Sequence, residues 1–169
     1  RMTAPRREPE AMTTSITPRP ATLADAPTIR ALTREAYARW VPLIGREPLP
    51  MTADHARAVR EHRIDLIETD GRLVALIEMI RHPDHLLIEN LAVAPDCQGQ
   101  GLGRALMAHA DRVAASLGHR ETRLYTNRAF AANLRFYAGL GYRIDREEAF
   151  GNGTVVHMSR AVAAHAGDA

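Results

Sequence analysis

Residues 86–106 read Leu86-Leu87-Ile88-Glu89-Asn90-Leu91-Ala92-Val93-Ala94-Pro95-Asp96-Cys97-Gln98-Gly99-Gln100-Gly101-Leu102-Gly103-Arg104-Ala105-Leu106. An apolar strand, Leu86 to Val93, stops at Pro95. A glycine-rich turn follows and runs into a helix from Leu102 to about Leu117. Leu102, Leu106, Ala110, Val113 and Leu117 make one helical stripe, with Gly118 at the C′ position. Backbone N–H groups turning into a helix N-terminus form an anion cradle. Glycines let that backbone take positive φ and approach the anion closely. The turn therefore points to a phosphate-bearing ligand.

Working outward, the flanking segments supply the rest of one domain. Upstream, Ile16–Arg19 reads as a short strand. Thr22–Trp40 reads as a helix that Thr22 or Asp25 can cap, Val41–Met51 as a proline-rich loop, and Thr52 as the N-cap of a second helix to about His62. Ile64–Thr69 and Arg72–Ile80 are β-branched runs joined by Asp70-Gly71, a two-residue hairpin signal. Downstream, Glu121–Thr126 alternates as a strand and Phe130–Leu140 reads as a helix ended by Gly141. Tyr142–Ala149 and Val155–Arg160 form a hairpin around Gly151-Asn152-Gly153. The order β-α-α-β-β-β-α-β-α-β-β predicts an α/β (α+β) fold: a mixed, mainly antiparallel sheet flanked by helices. Residues 1–14 read as a disordered extension, 15–162 as a single domain and 163–169 as a flexible tail.

Composition narrows the ligand. All 22 basic residues are Arg, and the chain has no Lys. Without Lys there is no P-loop lysine and no Schiff-base lysine for pyridoxal phosphate. The dinucleotide fingerprint G-x-G-x-x-G fails as well, because its third glycine would fall on Arg104 or Leu106. Net charge is only +2 with no polybasic block, which speaks against nucleic acid. A single cysteine excludes an internal disulfide framework and agrees with a cytoplasmic setting. No apolar run approaches the ~20 residues of a membrane-spanning helix.

What remains is Gln98-x-x-Gly101-x-Gly103 after the strand ending Leu91-Ala92-Val93. This resembles the acetyl-CoA pyrophosphate loop of the Gcn5-related N-acetyltransferase (GNAT) superfamily. The segment from Asn127 to Tyr142, with Tyr137 and Gly141-Tyr142, is similar to that superfamily's second signature. The resemblance covers about Ile16 to Val162 and implies the acyl-CoA N-acyltransferase fold, with acetyl-CoA as co-substrate and no metal.

The resemblance also implies roles for named residues. Gln98, Gly99, Gln100, Gly101, Leu102, Gly103 and Arg104 would cradle the pyrophosphate, mostly through backbone N–H groups. Leu91, Ala92 and Val93 would pair with the pantetheine arm like an added strand. The Val93 N–H would lie at the thioester carbonyl, where oxyanion character develops. Asn133 and Tyr137, at i and i+4, would share a helical face. There Asn133 would hydrogen-bond the cofactor arm, and Tyr137 would protonate the departing CoA thiolate.

Other assignments rest on the residues themselves. Glu89 is the only acid of its strand. A period of two puts it on one face with Leu91 and Val93, where it could receive the amine's proton, directly or through water. An ion pair with a sheet neighbour is the competing role. Trp40 and Arg46, in or beside the Tyr37–Met51 segment, are the candidates for contacting the acceptor. Cys97 adjoins the turn, but direct transfer needs no acyl-cysteine. His82 and His85 make a poor metal site without acidic or thiol partners. Arg57, Arg60 and Arg63 read as a solvated helix stripe. The resemblance implies N-acetylation of a primary amine on a small molecule or peptide, in a ternary complex. A homodimer is common in the superfamily. An acyl-CoA-binding sensor without transfer, and acetylation of a protein or an aminoacyl-tRNA, are the alternatives.

Overall fold

Asp70 and Gly71 both take positive φ, 53° and 76°. That backbone twist matches paired strands, so the dipeptide closes a tight hairpin. It joins two strands of a seven-stranded sheet. The computed structural model describes residues 17–163. The expected N-terminal extension, the first part of the Ile16–Arg19 strand and most of the tail lie outside the described residues.

The strands are β1 (Arg19–Pro20), β2 (Arg63–Thr69), β3 (Arg72–Arg81), β4 (Leu86–Val93), β5 (Glu121–Asn127), β6 (Arg143–Phe150) and β7 (Gly153–Ala161). Their spatial order is β1-β2-β3-β4-β5-β7-β6. The pairing of β4 with β5 is parallel and the other pairings are antiparallel. The mixed, mainly antiparallel sheet is the one expected.

The helices are α1 (Ala26–Tyr37), α2 (Val41–Ile44), α3 (Leu49–Thr52), α4 (His55–Glu61), α5 (Leu102–Ser116) and α6 (Ala131–Gly139). A single-turn 3-10 segment precedes α1, and its Thr22 N–H donates to Asp25 at 2.7 Å. Two expectations change here. Val41–Met51 is not all loop, because Pro42 and Pro50 each sit in the first turn of a short helix, where their fixed φ helps and no N–H is missed. Asp54, rather than Thr52, caps α4, accepting from the Arg57 N–H at 3.0 Å.

Two cores sandwich the sheet. One face packs on α5 through Leu102, Leu106, Met107, Ala110 and Val113, which meet Ile77, Met79, Ile88 and Leu124. The other packs on α1 through Ile29, Leu32 and Ala36, which meet Leu66, Leu76 and Ala92. Among the described residues, no helix is long and apolar enough to cross a membrane.

Candidate active site

Strands β4 and β5 pair over only three positions, ending at Ile88 opposite Leu124. Beyond that point β5 continues beside β7 as far as Asn127, while β4 continues beside β3. The sheet therefore opens after Ile88, and the second half of β4 has no partner on its β5 side. A bulge starts the opening: Glu78 pairs with Asn90 and Met79 with Ile88, so Glu89 has no residue opposite. This interrupts the period of two expected through residues 87–93. Glu89 and Leu91 still line one cavity, whereas Val93 lines another.

The unpaired edge presents backbone groups in a defined direction. The Ala94 N–H donates to the Val74 carbonyl of the β3 side at 2.8 Å. Successive residues of a strand alternate, so the Val93 N–H and C=O point away from β3, into the opening. Gln98 Nε2 lies 3.4 Å from that Val93 carbonyl and ties the turn to the strand.

The turn is built as a cradle. Gly99 and Gly101 hold φ of 79° and 82°, a region where a side chain would be strained. Gly101 is the N-cap of α5, so the free N–H groups of the first helical turn face outward from it. Gly103 serves close packing instead, because a Cβ there would sit 3.4 Å from the Phe136 ring. A cleft of about 470 Å³ runs along the turn. It is lined by Val93, Gln98, Gly99, Gly101, Leu102, Gly103 and Arg104, with Arg39, Trp40, Asn133, Phe136 and Tyr137 across from them. Arg39 and Arg104 supply positive charge on both sides. Ala92 is buried beneath the strand, and its side chain belongs to the α1 core.

On the other side of Leu91 lies a cavity of about 300 Å³. Glu89, Asn90, Tyr125, Phe150 and His157 line its sheet wall, and Ile44, Arg46, Leu49 and Phe130 line the rest. The cleft and the cavity share four lining residues: Tyr37, Leu91, Asn133 and Tyr137.

Three of the shared residues, Tyr37, Leu91 and Tyr137, are held by their surroundings. The Tyr37 hydroxyl donates to Asn90 Oδ1 at 3.0 Å, and Asn90 Nδ2 donates to Thr33 at 3.3 Å. The Leu91 N–H is turned to that same Tyr37 hydroxyl. The buried Tyr137 ring packs edge-on to Phe136 and Tyr142. Burial first, then the neighbouring Tyr37 and Tyr142, push the Tyr137 phenol well above its ordinary range. It stays protonated at neutral pH. The Tyr125 hydroxyl donates to Glu89 at 2.7 Å, and burial together with that carboxylate raises its own ionisation.

The structure thus brings Gln98, Gly99, Gly101, Leu102, Gly103, Arg104, Leu91, Val93, Asn133 and Tyr137 around one cleft, with Glu89 and Arg46 in the adjoining cavity; Gln100, also expected at the turn, is exposed and does not line the cleft. Trp40, expected from the sequence to contact the acceptor, lines the cleft along the glycine turn and stacks at 4.5 Å on Phe130, which lines the cavity. Tyr125, Asn90 and Tyr37 join the site without having been individual candidates from the sequence. A parallel strand pairing puts Tyr125 beside Glu89, and no local signal in the sequence announces that pairing. Among the described residues, no group of three or more His, Cys, Asp or Glu side chains could hold a metal ion. His82 and His85 stack on each other at 4.5 Å.

Known proteins share this fold. The fold matches the PaiA N-acetyltransferase of Thermoplasma acidophilum, solved with coenzyme A, at TM-score 0.73 and 17% identity, over 88% of this chain and 99% of that one. It matches the ribosomal-protein-S18-alanine N-acetyltransferase of Escherichia coli at TM-score 0.71 and 22% identity, over 90% and 96%. A GNAT acetyltransferase of Elizabethkingia anophelis with acetyl-CoA bound matches at TM-score 0.67 and 18% identity, over 88% and 99%. No curated protein matches the sequence. The sequence profile of the Acetyltransferase (GNAT) family matches residues 28–142, well over half of the chain. The chain belongs to the GNAT acetyltransferase family.

Proposed function

We propose that this enzyme transfers an acetyl group from acetyl-CoA to a primary amine while both are held in one complex. The observation that carries the reading is the meeting of cleft and cavity at Tyr37, Leu91, Asn133 and Tyr137. A donor in the cleft and an acceptor in the cavity come together there without a covalent enzyme intermediate.

The residues present suit acetyl-CoA. Two glycines at positive φ open the N–H cradle, Arg39 and Arg104 offset phosphate charge, and the free edge of β4 matches an extended amide-bearing arm. Bound there, acetyl-CoA supplies an activated acyl thioester. The Val93 N–H, pointing into the opening, donates to the oxygen on which negative charge develops. Glu89, or a water beside it, accepts the proton lost by the amine. Tyr137 stays protonated in its buried setting and supplies a proton to the departing sulfur, and Asn133, one turn away, hydrogen-bonds the cofactor arm.

The acceptor is a small-molecule or peptide amine. A panel of primary amines with acetyl-CoA, followed by release of free thiol, tests the reading. The expected result is amine-dependent thiol release. A blank panel with acetyl-CoA binding confirmed by calorimetry would instead support an acyl-CoA-binding protein that transfers nothing.

A further inference from the structure

The cavity wall carries a chemical pattern of its own. Most of its lining opposite the sheet is apolar. Two of its large apolar side chains, Leu49 at 53% and Phe150 at 43% exposure, are left open to solvent at its rim. Exposed side chains of this size around a concavity are what an apolar ligand body covers. The wall also holds a half-buried cation. Arg46 lies 5.7 Å from the Phe150 ring, and its one hydrogen bond among the described residues is a 3.5 Å contact with the Glu47 carbonyl. Among the described residues no carboxylate pairs with it. A partly desolvated guanidinium is favoured by an anion it can hold at two points.

The two acids of the wall do not neutralise Arg46. Glu148 is held by Arg146 at 2.6 Å, which keeps its carboxyl below the ordinary range. Glu89 is engaged by Tyr125 next to Leu91, at the end shared with the cleft. His157 Nε2 is buried in the wall without a hydrogen-bond partner, 3.8 Å from Glu148. A polar acceptor group would satisfy it. The cavity thus combines an acid able to take an amine proton, apolar walls and an unpaired cation.

We propose that the acceptor is a free amino acid with a large apolar side chain. Its amine would face Glu89 and Leu91, its carboxylate Arg46, and its side chain the Leu49, Phe130 and Phe150 walls. This rests on the transferase reading above and names its substrate class. A cavity of about 300 Å³ suits a single such molecule rather than a folded protein surface. In the reaction the amine nitrogen–carbonyl bond forms and the thioester C–S bond breaks. The amine proton goes to Glu89 or water and the thiolate takes a proton from Tyr137. The products are an N-acetylamino acid and CoA thiol.

The test measures kcat/KM, with acetyl-CoA saturating, for L-phenylalanine, L-leucine, phenylalaninamide, phenethylamine, L-alanine and the dipeptide Phe-Ala. Phenylalanine and leucine should exceed phenethylamine, phenylalaninamide and alanine by about tenfold or more, the scale of one charge-assisted contact. Phe-Ala, which moves the carboxylate outward, should fall below phenylalanine. R46A should shrink the phenylalanine-to-phenethylamine ratio about tenfold through KM, and R46K should restore part of it. Equal use of phenylalanine and phenethylamine by the unaltered enzyme, or a ratio unmoved by R46A, would overturn the proposal while leaving amine acetylation standing. Preference for Phe-Ala would overturn the free amino acid in favour of a peptide. Failure to bind acetyl-CoA would remove the transferase reading, and this proposal with it.

Discussion

The Tyr125 hydroxyl donates to the Glu89 carboxylate at 2.7 Å, across the point where β4 and β5 stop pairing. The acid is thereby fixed at the start of the opening rather than left to swing on a strand edge. If Glu89 takes the amine's proton, Glu89→Gln should lower kcat/KM for the acceptor about a hundredfold at neutral pH, the scale of a general base. The deficit should shrink as pH rises past the pKa of the amine, because less ammonium then needs deprotonation. A deficit constant across that range would assign Glu89 a structural role.

Gly101 caps α5 at φ 82°, and no atom lies within 4 Å of where a Cβ would stand, so any cost there is conformational rather than steric. Gly101→Ala should destabilise the fold by about 1–2 kcal/mol and weaken acetyl-CoA binding as the cradle distorts. Urea unfolding and calorimetry report the two effects separately. An unaltered Kd alongside lost stability would mean that the cradle tolerates the distortion.

Asp65, 2% exposed, is bonded to His109 at 2.7 Å and to Arg63 at 3.0 Å between β2 and α5. Burial alone would push its carboxyl up, but the hydrogen bonds from His109 and Arg63 outweigh it and hold it below the ordinary value. With the folded pKa depressed, this group's contribution is fully present above the unfolded carboxylate pKa of roughly 4. It is lost as pH falls through the lower folded value. Asp65→Ala should cost about 2 kcal/mol at pH 7, since it removes the buried carboxylate that holds hydrogen bonds with both Arg63 and His109. Urea midpoints at pH 7 and pH 3 should show a smaller acid loss in the variant than in the parent.

Trp40 lines the cleft and stacks on Phe130. Trp40→Ala should raise the Kd for acetyl-CoA about tenfold, the order of one lost aromatic contact. If only the acceptor KM rises, Trp40 acts through Phe130 on the cavity, in keeping with the acceptor role expected of it from the sequence.

Local chemistry made much of this fold legible. Asp70-Gly71 announced its hairpin, the Leu102–Val113 stripe announced α5, and Gly118 and Gly141 end helices at positive φ where a stop was expected. The glycine turn into α5 was legible for the same reason, because Gln98 to Gly103 is contiguous. Glu89 was legible as a lone acid, but its setting was not. The bulge and the Tyr125 bond depend on how β3 and β5 register against β4, and strand register is a long-range outcome. The helices α2 and α3 were hidden because their prolines read equally well as loop breakers or as first-turn residues. Trp40 sits at the end of a helical stretch near both cavities, and only the packing of Phe130 decides which one it lines.

We propose above that Tyr137, at the junction of cleft and cavity, supplies the proton to the leaving sulfur. The most direct measurement is thiol release by Tyr137→Phe beside the calorimetric Kd for acetyl-CoA. The kcat of Tyr137→Phe should be lower by about a hundredfold or more, with Kd within a factor of about three of the parent. Parent-like turnover in Tyr137→Phe would contradict it.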